Sequence, residues 1–416
     1  MITVLLDKAE FEYDIHSLVK AFYPKEEVYV STKDKEKKEE PVHYHMDVQF
    51  APEEIIFSWK RVEASEDNAN QNGITKCVAV DYTNRKETKN SLKRTLYRLL
   101  SEYTGVELPW GNLTGIRPTK IPMALLEEGK SEEEIARYMK ETYFTSDEKI
   151  KLSIEIAERE LELLHKLDYE EGYSLYIGIP FCPTTCLYCS FTSYSMSAWK
   201  NRMDDYLSAL EKELDYTAVK FAHKKLNSIY IGGGTPTTLN PKQLDRLIRK
   251  IKCSFDLSDL VEFTVEAGRP DSITKEKLMV LRNHDISRIS INPQTMKQET
   301  LDLIGRHHTV QQTIDSFYLA RELGFDNINM DLIVGLPGES LSDVADTMEV
   351  IRKLAPDNLT VHSLAIKRAA RLNIQRERYQ DFEIVNLYSL RDIKPICYNV
   401  RIVISMVFQL IGTHNH

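Results

Sequence analysis

The chain has 416 residues, with 54 Lys and Arg against 63 Asp and Glu, for a net charge of −9. Hydrophobic residues make up 42% and charged residues 28%, an ordinary balance for a soluble globular protein of two or three domains with a sizeable core. The acidic excess argues against nucleic acid as a partner. Six cysteines are too few for a disulfide scaffold, so each is read first for its chemistry.

The N-terminus, MITVLLDKAEFEYD, has no basic segment and turns acidic within a few residues, unlike a signal peptide. Residues 1–6 read as a strand and 11–22 as a short helix. The charge run at 33–40 reads as a solvated hairpin tip or loop. Beyond it, Val42, Tyr44, Met46, Val48 and Phe50 alternate with His43, His45, Asp47 and Gln49, the period-two pattern of a strand with one apolar face. The two histidines have no third ligand nearby and read as solvent-facing rather than metal-binding. Residues 109–120, PWGNLTGIRPTK, are dense in Gly and Pro and read as an ordered loop. Ser131 and Glu134 form a capping box before Ile135, Met139 and Tyr143. Ser146 then opens a longer helix with Ile150, Ile154, Ala157, Leu161 and Leu164 on one stripe. Residues 1–171 are therefore expected to form an N-terminal α+β domain, with Gly172 at the boundary.

From there the rhythm changes. Strands are predicted at 175–179, 228–231, 261–265, 288–291, 327–333 and 359–364, with helices at 205–220, 241–255, 275–283, 313–323 and 342–354. Strands alternating with helices predict βαβ units, a parallel sheet and an α/β barrel or partial barrel over 172–371. The apolar run at 402–411 is about half the roughly 20 residues that a membrane span needs, and Gln409 interrupts it. No membrane span is expected, and a reducing, cytoplasmic compartment follows, where clustered thiols bind metal more often than they pair.

Cys182, Cys186 and Cys189 follow the first barrel strand at the spacing C-x3-C-x2-C. A structural zinc site wants four closed ligands, and no fourth Cys or His lies nearby. Three thiolates on one loop suit a [4Fe–4S] cluster with one iron left to a non-protein ligand; redox-active CxxC chemistry is the other reading. Cys77, Cys253 and Cys397 are isolated and read as ordinary small side chains. After the second strand comes Gly232-Gly233-Gly234-Thr235-Pro236-Thr237, where backbone without side chains can approach a ligand closely. Glu266, Gln294 and Asp331 lie at or near later strand ends, Ala365 ends the sixth, and Arg306 sits in Ile-Gly-Arg-His-His. Successive strands thus deliver polar groups to the carboxyl edge, where barrel enzymes place their sites.

The cysteine spacing, with Tyr188 before the third Cys, resembles the cluster loop of radical S-adenosylmethionine (SAM) enzymes. GGGTPT resembles the oxygen-independent coproporphyrinogen III oxidase branch of that family. The resemblance implies a partial (β/α)6 radical SAM barrel holding a [4Fe–4S] cluster on Cys182, Cys186 and Cys189. In the family, the free iron chelates SAM, which is cleaved by an electron from the cluster to a radical that abstracts hydrogen. Carried over by position, Tyr176, Gly233, Glu266 and Ala365 would contact one SAM. Tyr188, Gly234, Thr235, Gln294, Arg306 and Asp331 would contact a second ligand molecule. The loop at 109–120, with CPTTCLYCSFTSY, further resembles HemZ-type coproporphyrinogen III dehydrogenases, implying oxidative decarboxylation of coproporphyrinogen III to protoporphyrinogen IX. An electron donor such as flavodoxin or ferredoxin would be a partner.

Three features depart from the established oxidases. Phe191 stands where they carry a fourth cysteine, as in related haem chaperones. Their N-terminal Tyr-Asn-Gly-Pro-Arg-like run is not found. Residues 372–416 diverge, as a truncated or frame-shifted tail would. The alternative reading is therefore a haem chaperone or trafficking protein on the same scaffold, with a non-haem radical enzyme such as a methyltransferase behind both. Arg117, Lys120 and Arg269 are candidates, by residue type, to meet a substrate's propionates.

Overall fold

The computed structural model describes residues 1–32, 42–62, 73–115, 117–168, 171–364, 366–367 and 369–375, and the backbone of Arg401–Ser405. The charge run at 33–40, Ala365, Cys397 and most of the tail lie outside the described residues. The chain divides into two compact units, Met1–Leu163 and Leu164 onward.

In the first unit, β1 (Ile2–Leu6) is followed by α1 (Glu12–Phe22), β2 (Val28–Thr32), β3 (Tyr44–Phe50), β4 (Glu54–Arg61) and β5 (Ile74–Ala79). The sheet order is β2-β1-β3-β4-β5, parallel around β1 and antiparallel from β3 onward. The alternation read from the sequence of β3 holds, with Met46, Val48 and Phe50 buried. His43 is exposed, as expected, and meets Glu26 at 3.0 Å, while half-buried His45 meets Asp47 at 3.0 Å. Both histidines are thus paired with carboxylates. Four helices follow: α2 (Arg85–Thr104), α3 (Lys120–Glu127), α4 (Glu132–Tyr143) and α5 (Asp147–Leu164). The Ser131–Glu134 capping box opens α4 as expected. Helix α2 goes beyond the sequence reading because Thr88, Lys93 and Thr95 occupy buried positions on it and dilute its apolar stripe. Its leucines Leu92, Leu96, Leu99 and Leu100 complete a core with Ile15, Phe57 and Trp59.

The second unit is built on β6 (Gly172–Ile179), then β7 (Phe181–Cys182), β8 (Tyr194–Ser195), α6 (Met196–Trp199), α7 (Met203–Lys220), β9 (Lys225–Gly233), α8 (Pro241–Ser254), β10 (Glu262–Gly268), α9 (Lys275–Asn283) and β11 (Arg288–Gln294). It continues through α10 (Gln298–Leu303), α11 (Val310–Glu322), β12 (Ile328–Val334), α12 (Leu341–Leu354), β13 (Asn358–Ser363), α13 (Arg371–Ile374) and β14 (Arg401–Ser405). The large sheet runs β14-β13-β12-β11-β10-β9-β6, every pair parallel. All six predicted strands form, in sequence order, and β14 adds a seventh at the edge, overlapping the start of the apolar run at 402–411. Capping boxes at Asn240–Gln243, Thr309–Gln312 and Ser340–Asp343 start α8, α11 and α12. The helices pack Leu207, Leu244, Leu278, Phe317 and Val344 against strand residues such as Ile231, Val265 and Ile291. Because all strands run the same way, their carboxyl ends share one edge, and the loops leaving them define one rim.

Phe57 is fully buried in the first unit's core. Phe57→Ala is expected to lower the unfolding free energy of that unit by about 3–5 kcal/mol, read as a shift in the denaturant midpoint.

Candidate active site

The three cysteines sit on a loop whose ends are tied together. Phe181 and Cys182 pair in parallel with Tyr194 and Ser195, and the Tyr194 amide donates to the Pro180 carbonyl at 2.7 Å. Inside the loop, the Cys189 amide donates to the Cys186 carbonyl at 3.2 Å. Leu187 is buried with Ile304, Leu336 and Leu372, and its amide donates to the Ile304 carbonyl at 2.9 Å. Thr184 donates its hydroxyl to the Gly305 carbonyl at 2.7 Å. Each turn of the loop is thus fixed by backbone or by a short side chain. Cys182, Cys186 and Cys189 are all free thiols. Burial, with help from the neighbouring thiols, raises the Cys182 and Cys189 thiols above their ordinary range.

The glycine run closes against this loop. The Gly234 amide donates to the Ile179 carbonyl at 2.8 Å, and the Thr235 amide to the Phe181 carbonyl at 2.8 Å. A Cβ on Gly234 would lie 2.7 Å from the Phe181 oxygen, 2.8 Å from the Ile179 oxygen and 3.0 Å from Cys182 Sγ. Thr235 Oγ1 meets Cys182 Sγ at 3.6 Å. Gly232 has a different neighbour: a Cβ there would come within 2.6 Å of the Tyr230 ring and 3.1 Å of Glu266 Oε1.

Tyr230 organises the next part of the rim. Its ring stacks on Tyr176 at 5.9 Å and 11°, leaving Tyr176 62% exposed, and its hydroxyl donates to Glu266 at 2.5 Å. Burial pushes the Glu266 carboxyl up to about 7; the Tyr230 hydrogen bond pulls it down, and the Asp331 charge adds to the rise. Asp331 accepts from Asn329, which also donates to Ser290, both at 2.7 Å. Gln294 is buried at the end of β11 with φ +70°, and its Oε1 has no partner; nor has Oδ1 of nearby Asn292. Arg306 is buried, donates to the Asn292 carbonyl and reaches Cys186 and Tyr188, yet leaves Nε unpartnered. His308 is fully buried with both ring nitrogens free; burial and the Arg306 charge push it down to about 4, so it is neutral at neutral pH.

The structure therefore gathers Gly234, Thr235 and Cys182 at one point, Tyr188, Arg306 and Cys186 at another, and Tyr176, Glu266 and Asp331 around Tyr230. Gly233, with φ +104°, joins the first group beside Ile179. Arg269 is 3% exposed and engaged by Asp271 and Thr184, so it is closed to a substrate. Arg117 pairs with Glu160 at 3.3 Å. Sequence reasoning missed Tyr230, whose place on the same strand face as Gly232 was the available signal, and Asn292 and His308, which carried none.

Among the described residues, no three Cys, His, Asp or Glu side chains converge on one point as a mononuclear metal site requires. A cubane differs, since each thiolate binds its own iron. Orphaned polar atoms on Asn292, Gln294 and Arg306, and a glycine cradle that a Cβ would fill, fit a bound cluster with a polar ligand beside it.

Residues 176–351 match the profile of the radical SAM superfamily. Over 313 residues the chain is 43% identical to the oxygen-independent coproporphyrinogen-III oxidase-like protein HemZ of Bacillus subtilis, covering 74% of this chain and 62% of that protein. The second unit belongs to the radical SAM superfamily, in its HemN/HemZ-type family. The haem chaperone HemW of Bacillus subtilis is 40% identical over 47% of this chain and 51% of its own length. The solved structure of the radical SAM enzyme coproporphyrinogen III oxidase (HemN) from Escherichia coli is 31% identical, with a TM-score of 0.44, over 52% of this chain and 54% of that one. The chain thus spans only half to three-fifths of the length of these relatives. Radical SAM membership implies a [4Fe–4S] cluster and SAM. No described helix is long and apolar enough to cross a membrane.

Gly234→Ala should cut the iron and sulfide retained after anaerobic reconstitution several-fold while the circular dichroism spectrum stays unchanged; full retention would show that the loops tolerate a Cβ. Glu266 yields a prediction in pH. A carboxyl raised from 4.5 to about 7 adds stability that is complete below its unfolded pKa and is lost as pH rises through about 7. Glu266→Gln stays neutral, so in ligand-free protein it should gain on wild type between about pH 5 and about pH 8, by up to about 3 kcal/mol in chemical denaturation.

Proposed function

We propose that the protein is a radical SAM enzyme of the cytoplasm that converts coproporphyrinogen III to protoporphyrinogen IX, replacing two propionates by vinyl groups without oxygen. The observation that carries this reading is the extent of the HemZ match. Its 313 residues exceed the whole second unit, so the similarity takes in part of the N-terminal unit as well. The matches to HemW and to the Escherichia coli coproporphyrinogen III oxidase each take in 47% of the chain.

In this reading Cys182, Cys186 and Cys189 hold the [4Fe–4S] cluster. Tyr176, Gly233, Glu266 and Ala365 hold one SAM, and Tyr188, Gly234, Thr235, Gln294, Arg306 and Asp331 a second ligand molecule. When bound, cluster and SAM supply a carbon-centred radical able to take hydrogen from a propionate side chain. The chain's own work is placement. Glu266, ionised by a cationic amino group, accepts hydrogen bonds from it, and Tyr230 fixes which carboxylate oxygen is free to do so. Arg306 offers its unpartnered Nε as a donor to a carboxylate in the second position, and Gln294 Oε1 offers an acceptor to a donor group of the same ligand. The backbone of 232–235, with no side chain in the way, lets the ligand lie against the loop and shuts out water. A flavodoxin or ferredoxin would deliver the electron that cleaves SAM, each propionate would lose its carboxylate as carbon dioxide, and an electron acceptor would take the electron that remains.

A haem chaperone is the second reading, favoured by one observation. Phe191, two residues past Cys189 where the established oxidases carry a cysteine, is 75% exposed beside the site. A flat apolar macrocycle would find a surface there. The decisive experiment supplies reconstituted protein, anaerobically, with SAM, a reductant and coproporphyrinogen III. Protoporphyrin formed together with 5′-deoxyadenosine is the expected result. Deoxyadenosine without a change in porphyrin overturns the oxidase reading, and stable retention of haem would put the chaperone in its place.

A further inference from the structure

Arg269 is nearly solvent-free, at 3% exposure, in the segment that follows β10. Its Nε and Nη2 donate to the two oxygens of Asp271 at 3.0 and 2.7 Å. Its Nη1, on the other edge of the guanidinium, donates to the Thr184 carbonyl at 3.0 Å and to the Thr184 hydroxyl at 2.8 Å. Thr184 stands between Cys182 and Cys186 and passes the connection on to the Gly305 carbonyl. Gly305 precedes Arg306, which itself reaches Cys186 and Tyr188.

Two buried guanidiniums therefore face the cysteine loop, and the positive edge of the Arg269–Asp271 pair is the one turned toward it. The site described above assigns Arg306 a ligand but gives Arg269 none. Only the guanidinium is buried, since Asp271 lies at the surface with its side chain 20% exposed, and taking that charge out of water is costly. A guanidinium oriented at a redox centre has a second effect. Reduction adds a negative charge, which a nearby fixed positive charge stabilises, and hydrogen bonds and charge around a cluster set its potential.

We propose that Arg269 is a positioning residue that clamps the cysteine loop through Thr184, and that its guanidinium raises the reduction potential of the cluster the loop carries. This rests on the assignment of that cluster to Cys182, Cys186 and Cys189.

The test is a redox titration of anaerobically reconstituted full chain, followed by electron paramagnetic resonance and accompanied by iron and sulfide assays. Arg269→Gln should shift the midpoint to a more negative potential and Asp271→Asn, which uncovers the guanidinium, to a more positive one. Arg269→Lys should lie closer to wild type than Arg269→Gln. Opposite shifts from the two partners are not expected of a purely structural pair, whose loss would act in one direction. An unchanged midpoint in cluster-loaded Arg269→Gln overturns the inference and leaves the cluster assignment standing. Wild-type protein that takes up no cluster overturns both. Where Arg269→Gln fails to load, Asp271→Asn decides: a positive shift supports the inference, and a midpoint equal to wild type overturns it.

Discussion

Everything at the rim depends on one steric constraint: backbone packed directly on backbone between the strand β6–cysteine loop and the glycine run that ends β9. Two amide-to-carbonyl bonds of 2.8 Å join them, and at Gly234 there is no room for a methyl group. The parallel sheet makes this contact possible. Neighbouring strands β6 and β9 stay in register up to Ile179 and Gly233, so both loops leave the same edge at the same height. With the loops so joined, Cys182 comes against Thr235, and Leu187 locks the far side of the loop into the apolar pocket of Ile304, Leu336 and Leu372.

Electrostatics around that contact is arranged by burial rather than by surface charge. The chain is acidic as a whole, yet two arginines lie buried beside the thiols, while a carboxyl held at about 7 is only part-ionised at neutral pH and a histidine pushed to about 4 is neutral there. Asn292 Oδ1, Gln294 Oε1 and Arg306 Nε are likewise buried polar atoms that no neighbour satisfies.

Much of this was legible in the sequence. Strand and helix periods predicted the parallel sheet, because buried parallel strands are short apolar runs and the intervening helices keep clear stripes and caps. The spacing of the cysteines and the glycine run marked the rim, since both answer to local chain geometry. What stayed hidden depended on packing across strands. Tyr230 reads as one more apolar strand residue until its hydroxyl is seen on Glu266. Arg269 reads as a cation for a substrate's propionates until Asp271 and Thr184 are seen to engage it. Helix α2 was masked because Thr and Lys fill inward positions that only tertiary contact reveals, Lys93 among them, held by Thr114 at 2.9 Å.

The central claim is that three cysteines on this loop hold a cluster with one iron open to SAM. The most direct measurement is the electron paramagnetic resonance spectrum of the reduced, reconstituted protein before and after SAM is added. The claim predicts a [4Fe–4S] signal whose g values shift on addition, and loss of that signal in Cys186→Ser. A signal indifferent to SAM, or one that survives replacement of Cys186, would contradict it.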